Sequence, residues 1–300
     1  MAHIPVLLKE VLDNLDPKPN QNFIDATVGD GGHAAAILEK TSPSGKLLAI
    51  DRDSDSIIRA KSKLSKFGNR VLFINDSFGN LGKIAKKNNF GLANGILFDF
   101  GMSSSQLQNS GRGFTFAKDE ILDMRYDVKT PITAEDIVNR YSERELSEIF
   151  KKWGEEPHAS RIARAIIQNR NRRIKTTGEL VRIIDKTVKR RGRLHPSTLI
   201  FQALRIEVNQ ELAEIEKALK TILEILNKNS KAAFISFHSL EDRLIKNWSR
   251  DLNKKGRIKI LNKKPITASA EELKINPRSR SAKLRIIVSL REISQREKKI

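Results

Sequence analysis

Four acids stand where apolar runs end: Asp25 after Phe23-Ile24, Asp51 after Leu47–Ile50, Asp76 after Val71–Ile74, and Asp99 after Gly95–Phe98. A fifth run, Lys231–Phe237, ends on His238. Any one of these acids could simply cap a helix, which Asp does often. Four together are harder to dismiss, because ligands of open α/β sheets lie at the carboxyl ends of the strands. The first acid opens the densest stretch, FIDATVGDGG, in which Gly29, Gly31 and Gly32 separate a short apolar run from a helical one, His33–Lys40. Glycine there lets the backbone turn and approach a ligand closely, and the free N–H groups of the helix start face whatever occupies the turn. Asp51, twenty positions after Gly31, is placed to accept hydrogen bonds from ribose hydroxyls. The pair suggests an adenosine-containing cofactor, although glycine turns between strand and helix also occur for packing reasons alone. The run is D-x-x-x-G-x-G-G, not the spaced glycines of pyrophosphate binders. Asp25 would repel a pyrophosphate but suits a sulfonium and an ammonium, which favours S-adenosyl-L-methionine. Phe78 could stack on an adenine, although a lone aromatic is more often core.

These residues need strands and helices in alternation to hold them. Helical spacing at Ser54–Lys66, with Asp53 or Ser54 as cap, and at Leu81–Asn88 completes a strand–helix series up to Asp99. That series predicts an α/β, doubly wound, Rossmann-like parallel sheet. The alternation then stops. Between Ser103 and Ser197 no strand pattern is found; helices are expected over Thr133–Ile149, Pro157–Asn169 and Thr177–Val188, and Ser103–Tyr126 reads as ordered loop. Leu199–Leu226 predicts one long helix packed on the sheet, followed by strands at Lys231–Phe237, Ile258–Leu261 and Leu284–Leu290 and a helix at Leu240–Leu252. The expected organisation is a discontinuous sheet domain, 1–104 and 198–300, interrupted by an inserted all-helical domain, 105–197. A short amphipathic helix from His3 to Leu15 precedes it, and a polar tail follows Ser294.

Three hundred residues suffice for a large core. No apolar run approaches the roughly 18 residues of a membrane span, and Lys9 and Glu10 interrupt the only apolar stretch near the start, so no membrane and a cytoplasmic setting are expected. The chain has no cysteine. That excludes disulfides, thiolate-held clusters and Cys-type zinc sites, and it disfavours methylation at carbon 5 of a pyrimidine, which normally needs a cysteine nucleophile. The net charge is +20, concentrated in two blocks: fourteen Lys/Arg against four Asp/Glu over Lys151–Arg193, and sixteen against five over Arg250–Ile300. Two cationic blocks around a near-neutral remainder are the footprint of a polyanion.

The order and wording of ten segments go further. HIPVLLKEVL, DATVGDGGH, AIDRD, DFGMSSSQL, GRGFTF, DMRYD, WGEEPHASRIARAI, LIFQALRIEVNQEL, ISFHSLEDRLIK and NPRSRSAKLR, running from His3 to Arg285, together resemble the bacterial small-subunit ribosomal RNA cytosine-N4 methyltransferases. The resemblance implies a class I methyltransferase sheet with a helical insertion. It also implies S-adenosyl-L-methionine as methyl donor and a decoding-centre cytidine of 16S rRNA, in the small ribosomal subunit, as substrate. On matching positions it places the methionine end of the donor at Gly31, Gly32 and His33, the ribose at Asp51, the adenine at Phe78, and the rest of the cofactor site at Asp99 and Gln106. A homodimer is left open.

The N4 amine of cytosine is a poor nucleophile, its lone pair being delocalised into the ring. The protein must align it with the methyl and draw its hydrogens toward acceptors. Many amino-methyltransferases use an acid followed by prolines and an aromatic; here the same place reads Asp99-Phe100-Gly101-Met102. Asp99 or the Phe100 carbonyl is the expected acceptor, with Ser103, Ser104 or His238 orienting the base; alternatively His238 and Ser239 only cap the helix that follows. The target base must leave its stack. Arg172, Arg173 and Arg190 are expected to grip the surrounding RNA.

Overall fold

The computed structural model describes residues 4–189 and 195–290. His3, Arg190 and the polar tail lie outside the described residues. Seven strands form one sheet: β1 (Phe23–Asp25), β2 (Leu47–Asp51), β3 (Val71–Asn75), β4 (Ala93–Asp99), β5 (Leu226–Ser236), β6 (Ile258–Ile260) and β7 (Lys283–Ser289), in the order β3-β2-β1-β4-β5-β7-β6. The strands β1 to β5 pair in parallel; β7 runs antiparallel to both β5 and β6. The strand order reverses between β1 and β4, and at such a switch point the loops diverge and leave a crevice. The inner strands are apolar without alternation because both faces are covered: Leu47, Leu48, Ala49 and Ile50 are all fully buried.

The helices are α1 (Leu8–Leu15), α2 (Gly32–Lys40), α3 (Ser54–Lys63), α4 (Leu81–Lys87), α5 (Ser104–Asn109), α6 (Ala134–Arg140), α7 (Glu143–Lys152), α8 (Ala159–Asn169), α9 (Thr177–Thr187), α10 (Pro196–Asn209), α11 (Glu211–Ile225), α12 (Ser239–Lys254) and α13 (Ala270–Ile275). The chain divides into two compact units, Met1–Gly101 with Leu212–Ile300, and Met102–Glu211. The first is built on the sheet, with Phe23, Ile37, Leu47, Leu97 and Ile235 in one of its cores. The second buries Ile137, Leu146, Phe150, Ile162, Leu180, Ile184, Ile200 and Leu204 among its helices.

The break between the units falls after Glu211, against the expected 197. The single helix read over Leu199–Leu226 is two, because Gln210 takes a left-handed backbone (φ 52°) that a helix cannot continue through. Asn209 explains the stop. Its buried amide accepts from the Tyr126 N–H (2.8 Å) and donates to the Met124 carbonyl (2.7 Å), tying the NQEL and DMRYD segments together. Within its unit α10 packs on α6, α7 and α9. The predicted helix Thr133–Ile149 is likewise two, α6 and α7. Tyr141 and Ser142 are extended, and Ser142 with Glu145 forms a capping box that starts α7 afresh. Two further helices were not expected: α5 lies where the sequence read as ordered loop, and α13 in a stretch for which no element was read. In the GRGF stretch Gly113 has φ +74°, and a Cβ there would meet the Ile121 carbonyl at 2.2 Å.

Candidate active site

The loop after β1 is stitched to the strand on either side of it. The Ala26 N–H donates to the Leu97 carbonyl on β4 (2.9 Å), and the Val28 N–H to the Ile50 carbonyl on β2 (2.8 Å). Beyond it the chain turns through Gly31 (φ +79°) into α2, a left-handed conformation that favours glycine. Gly32 is glycine for a different reason: a Cβ there would come 2.4 Å from Pro5, which packs over the turn.

This stitching brings Asp25, Asp51, Asp99 and His33 to neighbouring strand and helix ends. Asp51 braces the turn itself, its Oδ2 accepting from the Gly29 N–H (2.9 Å) and its Oδ1 from the Asp53 N–H (2.9 Å). Desolvation nonetheless pushes its carboxyl up to about 6, the two N–H bonds pulling the other way. Asp25 is buried, and desolvation pushes it up to about 7; His33 and the Thr27 N–H oppose the rise, while Asp99 and Asp51 add to it. At the tip of β4 the Asp99 N–H donates to Thr27 Oγ1 (2.6 Å), and Asp99 Oδ1 accepts from the Gly101 N–H (3.1 Å). Its other oxygen, Oδ2, lies 3.7 Å from His33 Nε2. His33 is only 7% exposed, and neither ring nitrogen has a hydrogen-bond partner. Buried imidazole nitrogens are normally paired, so these two point to a group that the protein alone does not supply.

The other expected residues are placed unequally. Phe78 is partly buried, its ring 5.9 Å from Phe98 and 5.7 Å from Phe100, so it belongs to an aromatic cluster at the ends of β3 and β4. Asp76 is occupied locally, accepting from the Ser77 N–H and from Asn80 Nδ2. Gln106 stands in the helical unit, buried as the third residue of α5, where its side chain accepts from the Ser103 N–H (2.9 Å). Ser103 is the N-cap of that helix. His238 caps α12: its Nδ1 accepts from the Glu241 N–H (3.4 Å), while Glu241 Oε2 accepts from the backbone N–H groups of Phe237 and His238. Capping thus engages His238 Nδ1, while its buried Nε2 lies 3.1 Å from Glu241 Oε1 and has no hydrogen-bond partner. Thr27, which holds the Asp99 backbone, was missed. Its only signal was its place between Asp25 and the glycines.

The residues present fit an adenosyl sulfonium. Two carboxyls with raised pKa gain by ionising beside a cation, and the carboxylate oxygens of Asp51 keep lone pairs for ribose hydroxyls. Among the described residues no helix is long and apolar enough to cross a membrane.

Known proteins bear on this arrangement. The model of the MraW methylase family matches residues 1–290. The ribosomal RNA small subunit methyltransferase H of Sulfurihydrogenibium sp. (strain YO3AOP1) is 46% identical over 290 residues, covering 95% of this chain and 98% of its own. The protein of the same name from Clostridioides difficile (strain 630) is 41% identical over 303 residues, covering 95% and 97%. A solved rRNA methylase from Streptococcus thermophilus is similar at 12% identity and a TM-score of 0.46 over 97% of this chain and all of its own, too loose a likeness to bear on the site. A match of this extent, with relatives above two-fifths identity along almost their whole length, means that the chain belongs to the MraW methylase family.

Proposed function

We propose that the protein transfers a methyl group from S-adenosyl-L-methionine to the N4 amine of a decoding-centre cytidine in the 16S rRNA of the small ribosomal subunit, in the cytoplasm. The observation that carries this reading is the convergence of Asp25, Asp51, Asp99 and His33 at the strand tips flanking the sheet's switch point. The donor supplies an electrophilic methyl; everything else is asked of the chain. Gly31, Gly32 and His33 hold the amino-acid end, Asp51 the ribose, and Phe78 the adenine. Asp99 has the catalytic role. Its backbone is fixed by Thr27 and one carboxylate oxygen by Gly101, so Oδ2 is the oxygen left to accept from N4. An acceptor that draws off an N4 hydrogen localises the lone pair on nitrogen and makes it nucleophilic. The Phe100 carbonyl, one residue on, is the second candidate acceptor. His238 orients the base only if it can leave its helix cap.

The helical insertion and the late basic block grip the RNA, which makes binding steeply salt-dependent. Arg172 is exposed and suited to this. Arg173 is paired with Glu135 and lies 3.6 Å from Asp136, so it would have to exchange partners. The deciding experiment is nucleoside mass spectrometry after incubating the protein with the donor and unmodified small subunits. N4-methylcytidine is the expected product; methylation of duplex DNA instead would overturn the reading.

A further inference from the structure

Each methyl transfer to an amine releases a proton. The N4 lone pair forms the new N–C bond, the C–S bonding pair leaves with sulfur, and the N–H pair returns to nitrogen as the proton goes to a base. On the reading above, that base is Asp99 Oδ2. The pocket thereby loses the cationic charge of its ligand and keeps the charge of the proton in its place. A site lined by Asp25, Asp51 and Asp99 is suited to one positive charge throughout, so a group that takes up that charge keeps the site balanced after transfer.

We propose that His33 is that group: the proton passes from Asp99 Oδ2 to His33 Nε2, the O–H pair staying on the carboxylate and the imidazole lone pair forming the new N–H bond. Three observations carry this, and the inference rests on the assignment of Asp99 as acceptor. His33 is more than nine-tenths buried with both ring nitrogens unpartnered, so a nitrogen is available as a base. The 3.7 Å from Nε2 to Oδ2 closes to hydrogen-bond length by a movement of about 0.5–0.8 Å. Two acids lie against the ring, Asp99 at the end of β4 and Asp25 at the end of β1; on its own helix Glu39 and Lys40 lie at the far end of α2. His33 acts through Asp99 and is a positioning residue for the proton, not a group that touches the base.

The test reads the charge on His33 directly. In the wild-type protein labelled at histidine, its ring resonances are titrated with S-adenosylmethionine bound and again with S-adenosylhomocysteine bound. Removal of a nearby positive charge should raise the His33 midpoint by about one unit or more. Equal midpoints in the two complexes would overturn the relay. In parallel, His33→Asn and His33→Gln are assayed with donor and small subunits both saturating. The relay expects turnover at saturation down by about tenfold or more, with the acidic limb of the pH profile displaced, over and above any loss of donor affinity. Lost affinity with unchanged saturated turnover would make His33 a cofactor ligand only. Asp99→Asn separates the two assignments. If it is inactive while the midpoints are equal, the relay alone fails; if it turns over like wild type, the Asp99 assignment fails and takes the relay with it.

Discussion

Asp25 makes the strongest energetic statement in the sheet unit. Its carboxyl, buried at the end of β1, is pushed up to about 7 from an ordinary 3.8, chiefly by desolvation. Between about pH 4 and pH 7 the native protein therefore holds on Asp25 a proton that the unfolded chain has already released, and stability falls with rising pH across that window. The full difference of about three units corresponds to about 4 kcal/mol, present above pH 7 and absent below pH 4. Asp25→Asn removes the titration while keeping an oxygen to accept the Thr27 N–H that Asp25 Oδ1 now binds at 3.2 Å. Urea unfolding of both proteins, without cofactor, should show the variant gaining on wild type by about 2.5 kcal/mol between pH 5 and pH 8. Constant effects of the substitution cancel in that comparison, because only the slope with pH is read. The background from Asp51, pushed up to about 6, is common to both proteins. A difference between the two proteins that stays flat from pH 5 to 8 would refute the claim that Asp25 is buried at a cost that a cationic ligand relieves. Bound S-adenosylmethionine should flatten the wild-type slope, since a neighbouring cation favours the carboxylate.

Further outcomes follow from single contacts. Asp99→Ala should reduce methyl transfer at saturating donor by about 10² or more, and wild-type turnover would remove Asp99 from the mechanism. Gly95→Ala would set a Cβ 2.2 Å from the buried Phe23 ring, and thermal or urea unfolding should show a loss of about 1–3 kcal/mol. Asn209→Ala leaves the Tyr126 N–H and the Met124 carbonyl without their partner and should destabilise the helical unit by about 2 kcal/mol or more, measured by urea unfolding. Arg172→Glu should weaken small-subunit binding and reduce its salt dependence while leaving donor affinity unchanged, as filter binding and calorimetry would show.

Much of this architecture is set by local chemistry and so could be read from the chain. The acids at strand ends, the glycine turn and the apolar runs of β1 to β4 follow from backbone conformation and burial, which neighbouring residues largely dictate. The capping box that starts α7 was also there to read in Ser142 and Glu145, although an amphipathic pattern running through it suggested one helix. Only the folded chain decided three other matters. Gln210 takes a left-handed backbone because Asn209 finds its partners some 85 residues earlier, at Met124 and Tyr126. His238 Nδ1 sits in a reciprocal helix cap with Glu241, whose carboxylate folds back onto the backbone N–H groups of Phe237 and His238. Above all, Asp25, Asp99 and His33 face one another because parallel pairing of β1 with β4 aligns two strand ends some seventy residues apart. Sequence determined which groups were available; long-range pairing decided which of them share one desolvated pocket, and burial there is what sets the charge they can carry.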